Sequence, residues 1–181
     1  IRAATGIVVV DEAYGAFHHD SFLPWAGEVE NLVVMRTISK IGFAGLRMGY
    51  AAASPSIMGE LAKILPPYNM NQLSLAAAKF SLKHHQIIQQ NIDTLKNERS
   101  RMMNELLKLN RLQVFPSEAN FITVRVPDAN KLFETLKQNR ILIKKLHGSH
   151  PLLEQCVRIT IGSAAQNDAV LAVIKNLYPN L

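Results

Sequence analysis

The chain has 181 residues, of which 48% are hydrophobic, so it can bury a sizeable core and is not a disordered segment. Twenty Lys and Arg residues against 14 acidic residues give a net charge of +6, but the cations are scattered and no aromatic-basic RNA motif accompanies them. This argues against a nucleic-acid partner, and no apolar run reaches the ~18 residues that a membrane span needs.

The chain contains a single cysteine and six histidines. One cysteine cannot form an internal disulfide, which fits a reducing, cytoplasmic compartment, and the apolar neighbours of Cys156 favour a small buried side chain over a nucleophile. The histidines include two adjacent pairs, at residues 18–19 and 84–85. Adjacent side chains point in different directions and no carboxylate spacing completes a set of ligands, so no metal is expected.

The first part of the chain carries strand signals separated by polar or Gly- and Pro-bearing segments. Apolar runs predict strands over residues 7–10, 32–37 and 50–53, a pattern typical of part of an α/β sheet. A helix is predicted from residue 54 to residue 65. Proline, here Pro55, is favoured in the first turn of a helix, and two further prolines at residues 66–67 end the pattern.

The second part of the chain begins with a long stretch of helix formers. Residues 73–109 predict one long helix or two helices that meet near His84 and His85. Strands are then predicted over residues 112–115, 121–126, 141–144 and 157–161, and helices over residues 129–138 and 163–177. We therefore predict two domains, residues 1–70 and residues 71–181, the second a small α+β domain with an interdomain helix.

Polar residues follow two of the predicted strands directly. The run at residues 7–10 ends in Asp11, as a buried parallel strand does where it reaches the C-terminal edge of a sheet. The next strand is followed by Ser39 and Lys40, with Arg47 seven residues further on. A lysine amine can form a Schiff base with an aldehyde, and hydroxyls and a guanidinium suit a phosphate. The pattern predicts a site for a carbonyl cofactor that carries a phosphate.

These motifs resemble the pyridoxal-phosphate enzymes of the aspartate aminotransferase fold, most closely the histidinol-phosphate aminotransferase family. The resemblance rests on Asp11-Glu12-Ala13-Tyr14, Ser39-Lys40, Ala44-Gly45-Leu46-Arg47-Met48-Gly49-Tyr50, Pro66-Pro67-Tyr68-Asn69-Met70-Asn71, Asn120-Phe121 and Cys156-Val157-Arg158-Ile159-Thr160-Ile161-Gly162. It implies an α/β class: the C-terminal part of that fold, with a partial large-domain sheet and a small α+β domain. A chain that opens on Ile1 without the family's N-terminal half is predicted to be a C-terminal fragment, expected to be inactive alone.

The resemblance also assigns three residues to the reactive end of the cofactor. Lys40 would anchor pyridoxal 5'-phosphate as a Schiff base and move the proton between the substrate carbon and the cofactor's C4′ carbon. Asp11 would keep the pyridine nitrogen protonated, and Tyr14 would donate to the phenolate oxygen. The alternatives are a turn or cap residue for Asp11 and an amphipathic residue at the sheet rim for Tyr14.

Three further residues are candidates for the phosphate of the cofactor. Arg47 would bind it through a bidentate pair, and the hydroxyls of Ser39 and Thr37 through short hydrogen bonds. Thr37 is equally well explained as the β-branched end of its strand. Glycines at positions 42 and 45 would let the backbone turn closely around the phosphate.

The expected substrate residues lie in the second part of the chain. Arg158 stands within an apolar strand, where a guanidinium needs an anionic partner. The resemblance implies the substrate carboxylate or phosphate, and the alternative is an ion pair with an acid such as Glu118. Many relatives carry arginine where this chain has Lys144, which keeps the charge but loses the planar fork. Asn120 resembles a position near the site entrance.

The implied reaction interconverts histidinol phosphate and 2-oxoglutarate with imidazole acetol phosphate and glutamate, in histidine biosynthesis. Its partners would be small molecules, an amino acid or amino-alcohol phosphate and a 2-oxo acid, and the full-length enzyme would be a homodimer. The alternatives are an aromatic aminotransferase, an amino-acid phosphate decarboxylase of the same fold, and an inactive fragment.

Overall fold

The computed structural model describes residues 1–180, which form two compact units. The first unit covers Ile1–Ile92 and the second begins at Asp93. Each unit has its own sheet and its own helical segments, so the predicted α/β class is confirmed. The division falls within a long helix. The predicted domain boundary at residue 70 rests on the sequence alone and stays a prediction.

The sheet of the first unit has three strands, β1 (Val8–Asp11), β2 (Leu32–Thr37) and β3 (Gly49–Ala52). They lie in the order β1-β2-β3, with β1 parallel to β2 and β3 antiparallel to β2. All three were predicted to within one residue. Because β1 and β2 are parallel neighbours, the loops that follow them leave from the same edge of the sheet.

The interior of the first unit is formed mainly by β2. Leu32 and Val34 are fully buried and Val33 is nearly so, and Phe17, from the connection between β1 and β2, is buried as well. Fully burying a side chain of this size contributes roughly 1.5 to 3 kcal/mol. This packing holds the C-terminal end of β2, and with it the segment around Lys40, in a defined place.

The helices begin where the sequence offers suitable first residues. The first residue of α1 (Pro55–Ile64) is a proline, whose missing N–H is not needed in the first turn. Before α2 (Gln72–Lys83), the Asn71 side chain caps the helix by accepting a backbone N–H at 2.8 Å. After His84 comes α3 (His85–Leu107), so the predicted meeting of two helices near this residue is confirmed. Within residues 1–180, no helix is both long and apolar enough to cross a membrane.

The second unit is built around a sheet of four strands: β4 (Gln113–Val114), β5 (Phe121–Arg125), β6 (Lys144–Lys145) and β7 (Cys156–Thr160). Their order is β4-β5-β7-β6, and every neighbouring pair is antiparallel. Two helices complete the unit, α4 (Ala129–Gln138) and α5 (Ala164–Leu177). One face of the sheet packs into a core whose fully buried members include Ile122, Val124, Val157, Ile159, Met102, Leu106, Leu132, Leu136 and Ile174.

One predicted strand of the second unit is shorter than expected. The prediction covered residues 141–144, but β6 contains only Lys144 and Lys145. The preceding residues are used to end α4: Arg140 adopts a left-handed conformation with φ 61°, and the N–H of Ile141 donates to the carbonyl of Leu136 at 2.9 Å. The backbone therefore becomes available for pairing with β7 only at residue 144.

Candidate active site

Asp11 and Tyr14 lie directly after β1 in the first unit. Asp11 is the last residue of the strand and is exposed, and its Oδ1 accepts a hydrogen bond from the N–H of Ala13 at 2.9 Å. This bond is typical of a carboxylate that shapes the turn after it. Tyr14 follows, half-buried, before a short 3₁₀ turn at Gly15–Phe17. Both side chains therefore start from the C-terminal end of β1.

Lys40 lies in the corresponding position after β2. It is half-buried within a 3₁₀ turn at Ser39–Ile41, and its Nζ atom is 5.2 Å from the centroid of the Tyr14 ring. This distance is within the range of a cation–π contact. The structure thus brings Lys40 and Tyr14 together, as expected for residues that follow adjacent parallel strands.

The candidate phosphate ligands lie in the turn between β2 and β3. The hydroxyl of Thr37 donates to the carbonyl of Met48 at 3.1 Å and accepts from the N–H of Ser39 at 3.1 Å. Its proton is committed to the backbone, so the hydroxyl stabilises this turn. Arg47 is exposed and adopts a left-handed conformation with φ 54°, and Gly42 has φ 111°. Phosphate binding by these side chains stays a prediction.

The sequence reasoning missed a network next to these residues. Glu12 is buried, and its Oε2 accepts hydrogen bonds from Arg36 Nη2 at 2.8 Å and from Arg36 Nε at 2.9 Å. Ser21 Oγ donates to the same oxygen at 2.9 Å, and the N–H of Phe22 donates to Oε1 at 2.6 Å. The signal was present: Arg36, like Arg158, is an arginine within an apolar strand.

Two opposing effects determine the charge of Glu12. Burial acts to raise the pKa of the Glu12 carboxyl, but the hydrogen bonds from Phe22 and Arg36 outweigh it and hold that pKa below its ordinary value. Burial acts to lower the pKa of Arg36, and the bond to Glu12 helps to keep it raised. Both groups are therefore charged at neutral pH and form an ion pair.

Arg158 lies on β7, an inner strand of the sheet in the second unit. Its neighbours across the sheet are Thr123 on β5 and Lys144 on β6. The guanidinium carbon is 5.0 Å from the centroid of the Phe121 ring, and the Nε atom is buried without a hydrogen-bond partner. A buried, unpartnered N–H is costly, so this atom is suited to an anion that binds here.

Lys144 adds a second positive charge beside Arg158. The two residues are directly opposite on antiparallel strands, where Cβ atoms are roughly 4.5 to 5.5 Å apart, so their side chains leave the same face of the sheet. Like charges in this arrangement repel, and a shared anion would relieve the repulsion. Asn120 is half-buried, and its carbonyl accepts from the N–H of Ile161 at 2.9 Å.

The predicted residues are thus distributed over the two units. The first unit contains the candidate cofactor residues Asp11, Tyr14, Thr37, Ser39, Lys40 and Arg47. The second contains the candidate substrate residues Asn120, Lys144 and Arg158. Within each unit, the structure brings the central pair together: Lys40 with Tyr14, and Arg158 with Lys144.

Comparison with known proteins shows the family to which the chain belongs. The family model "Aminotransferase class I and II" matches residues 1–174 of the chain. A curated relative, the histidinol-phosphate aminotransferase of Neisseria meningitidis serogroup C, is 71% identical over 178 residues, which is 98% of this chain and 49% of the relative. The chain therefore spans about half the length of the curated relatives it matches.

Solved structures show the same fold. The histidinol-phosphate aminotransferase from Clostridium acetobutylicum is similar with a TM-score of 0.85 and 27% identity, over 97% of this chain and 55% of that one. The histidinol-phosphate aminotransferase from Sinorhizobium meliloti, solved in complex with pyridoxal-5'-phosphate, gives a TM-score of 0.79 and 26% identity, over 94% of this chain and 49% of that one. The predicted fold, that of these aminotransferases, is confirmed.

Proposed function

This chain belongs to the class I and II aminotransferase family, and from that membership we propose that it carries the cofactor-binding lysine of a histidinol-phosphate aminotransferase. The reaction is the interconversion of histidinol phosphate and 2-oxoglutarate with imidazole acetol phosphate and glutamate. The 71% identity to a curated enzyme of that name supports this substrate choice. The observation that carries the proposal is the position of Lys40 Nζ against the Tyr14 ring at the edge of the sheet that Asp11 also reaches.

The donor groups of the first unit fit pyridoxal phosphate. An amine for its aldehyde, a phenol and a carboxylate follow two adjacent parallel strands, and an exposed arginine lies in the next turn. When bound, the cofactor supplies an electron sink for the carbanion left after proton removal. Lys40 would hold its aldehyde carbon and later carry the proton between the substrate carbon and C4′. Asp11 would hold the pyridine nitrogen, and Tyr14 would donate a hydrogen bond to the phenolate oxygen.

The remaining polar residues of the turn would bind the phosphate end. Arg47 can form a bidentate pair with a phosphate, and Ser39 can donate a hydroxyl. Thr37 would act mainly by fixing the turn, since its proton is donated to the Met48 carbonyl. The two roles are compatible because a hydroxyl oxygen that holds a backbone N–H orients the residues that follow it.

Arg158 and Lys144 would recognise the anionic groups of the substrates. The buried Nε of Arg158 is a donor without a partner, and Lys144 supplies a second charge on the same face. Glutamate would present a carboxylate to Arg158, and histidinol phosphate would present its phosphate to both residues. Asn120 is proposed to lie at the site entrance.

We also propose that the intact protein acts in the cytoplasm on small molecules and is a homodimer. Its single cysteine fits a reducing compartment. The segment around α1 and α2 exposes several large apolar side chains, a surface that further protein, such as a partner subunit, would cover. They include Ile64, Leu65, Tyr68, Leu73 and Phe80.

The test is to identify the lysine that binds the cofactor. The intact protein is incubated with pyridoxal phosphate, reduced with borohydride and mapped by peptide mass spectrometry. We expect the pyridoxyl adduct on Lys40, and Lys40→Ala should abolish both the adduct and the visible absorbance of bound cofactor. Lys63→Ala is the matched control, because Lys63 is an exposed lysine of the same unit that pairs with Glu60. An adduct on Lys63 or Lys144 would overturn the assignment.

A further inference from the structure

The network around Glu12 has no part in the chemistry described so far. The side chain of Glu12 is only 7% exposed and that of Arg36 is 25% exposed, so the pair lies largely out of water. Ser21 bridges the two, since its hydroxyl donates to Glu12 and accepts from Arg36 Nη2 at 2.8 Å. A partly buried ion pair of this kind holds its geometry, because releasing either partner leaves a poorly solvated charge.

We propose that Glu12 and Arg36 are positioning residues of the cofactor site. Their ion pair fixes the spacing between the end of β1, which carries Asp11 and Tyr14, and the end of β2, which leads to Lys40. The inference rests on the proposed function and deepens it, since it assigns a role to two residues outside the contacts proposed for cofactor and substrate.

The strand register supports this role. Asp11 is opposite Met35 in the parallel pair, and the N–H of Glu12 donates to the Met35 carbonyl at 2.8 Å. The ion pair between Glu12 and Arg36 therefore adds one more link between β1 and β2 beyond their last backbone hydrogen bond. It lies where both strands end and lead into the candidate site. Asp11 precedes Glu12 directly, and Lys40 follows Arg36 by four residues.

Gly15 provides a second, independent indication. A Cβ atom at this position would lie 3.1 Å from Glu12 Cβ, 3.2 Å from Glu12 Oε2 and 3.7 Å from Arg36 Nε. The absence of a side chain at residue 15 therefore leaves room for the ion pair. Gly15 also follows Tyr14 directly, and its N–H donates to the Glu12 carbonyl at 2.9 Å. The turn that presents Tyr14 is thus built against the same carboxylate residue.

A small shift at this point would matter because catalytic groups need to be held within about 0.5 Å of their productive positions. The 5.2 Å between Lys40 Nζ and the Tyr14 ring is set by two separate loops. Loss of the Glu12–Arg36 pair would let those loops move independently. The cofactor would then meet its anchoring groups in a less defined arrangement and bind more weakly.

The experiment compares Glu12→Gln, Arg36→Met and the double variant in the intact protein. The readouts are the dissociation constant of pyridoxal phosphate, the pH midpoint of its visible absorbance band, and the urea midpoint of unfolding. We expect each single variant to raise the dissociation constant ~10- to 100-fold, by analogy with the loss of groups that orient metal ligands. The double variant should bind pyridoxal phosphate no more weakly than the single variant with the higher dissociation constant, because the two residues act as a unit.

Two further variants separate positioning from general stability. Gly15→Ala removes no charge but places a methyl group against the Glu12–Arg36 pair. Like the charge variants, it should raise the dissociation constant of the cofactor. Asn31→Ala is the control, because Asn31 bonds the carbonyls of residues 1, 4 and 6 in the same unit. It should lower the urea midpoint and leave the cofactor dissociation constant unchanged. If Glu12→Gln does not fold, Glu12→Asp keeps the charge, shortens the side chain and should give an intermediate effect.

The outcomes distinguish this inference from the proposed function. If the unaltered protein binds pyridoxal phosphate at Lys40 and both single variants bind it equally well with the same absorbance midpoint, the pair is merely structural and the positioning role is wrong. If the unaltered protein forms no adduct at Lys40, the proposed function itself fails. A rise in the dissociation constant that Asn31→Ala reproduces at an equal loss of stability also overturns the positioning role.

Discussion

Asp11 is the residue whose proposed role depends most directly on charge. Its carboxylate is oriented by the N–H of Ala13, and the residue is exposed at the end of β1. We expect Asp11→Asn to retain the cofactor but to lose roughly 10²-fold or more in kcat, the scale of losing one charge-stabilising group. The neutral amide cannot keep the pyridine nitrogen protonated. Steady-state kinetics at saturating cofactor test this, with Asp20→Asn as the exposed acidic control, and near-normal turnover by Asp11→Asn would disprove the role.

Arg158 and Lys144 are expected to differ in which substrate they affect. Arg158→Ala should impair both half-reactions by an amount on the order of a lost charge-assisted pair, ~2 to 5 kcal/mol in kcat/KM. Lys144→Ala should impair chiefly histidinol phosphate. Lys144→Arg should be tolerated or improve that substrate, because a guanidinium fork fits a phosphate better than an ammonium does.

Single-turnover absorbance changes with glutamate, histidinol phosphate and phenylalanine measure these effects. Lys145→Ala is the control, because Lys145 is next in sequence but donates to Asn130. Equal rates for phenylalanine and histidinol phosphate, with no effect of Lys144→Ala on either, would indicate an aromatic aminotransferase instead.

Among the elements, β3 depends on a glycine at its first residue. Gly49 is opposite Thr37, and a Cβ atom there would lie 2.7 Å from the carbonyl oxygen of Arg36. We expect Gly49→Ala to destabilise the protein by ~1 to 3 kcal/mol, because backbone has to move to relieve the overlap. The free energy of unfolding in urea measures the loss.

A second glycine provides the matched control for this prediction. Gly59 lies within α1 and a Cβ atom there would meet nothing within 4 Å. Gly59→Ala should stabilise the helix by ~0.5 to 1 kcal/mol, because alanine loses less backbone freedom on folding. If Gly49→Ala is as well tolerated as Gly59→Ala, β2 and β3 do not approach each other tightly at Gly49.

For the whole molecule, stability should fall in acid because carboxylates are charged and paired. Hydrogen bonds from Lys108 and Lys175 lower the pKa of Glu105 from 4.5 to about 2, and bonds from Arg101 and Asn167 lower the pKa of Glu98. A carboxyl with a lowered folded-state pKa contributes stability that is present above its unfolded pKa. That contribution is lost as the pH falls from about 4.5 toward 2.

The measurement is the urea midpoint of unfolding between pH 7 and pH 2 for the unaltered protein and for Glu105→Gln. We expect the difference between the two to narrow as the pH falls below 4.5, and added salt to narrow it at pH 7, because exposed charges are screened. Glu134→Gln is the control, since Lys137 Nζ lies 4.0 Å from Glu134 and the pair is exposed. A pH-independent difference for Glu105→Gln would contradict the pairing.

Local signals in the sequence were sufficient for most elements. Hydrophobic periodicity and capping residues predicted β2, α4 and α5, and the break at His84, because each depends on residues within a few positions of one another. The strand predicted at residues 141–144 begins only at residue 144, because the chain first makes a left-handed turn at Arg140. Hydrophobic periodicity does not reveal such a turn. Neighbouring motifs also predict Lys40 as the reactive lysine, since hydroxyl and arginine side chains suited to a phosphate are close to it in sequence, and this assignment stays a prediction.

The partners of buried charges were decided only by the tertiary structure. The sequence shows that Arg36 and Arg158 stand within apolar strands, but not which group meets each guanidinium. Glu12 reaches Arg36 from 24 residues away because β1 and β2 pair in one particular parallel register. Lys144 is beside Arg158 because the two-residue strand β6 pairs with β7 in a register that places these two residues opposite each other. Such contacts depend on strand order and register, which arise from the packing of the whole unit, so no local pattern could determine them.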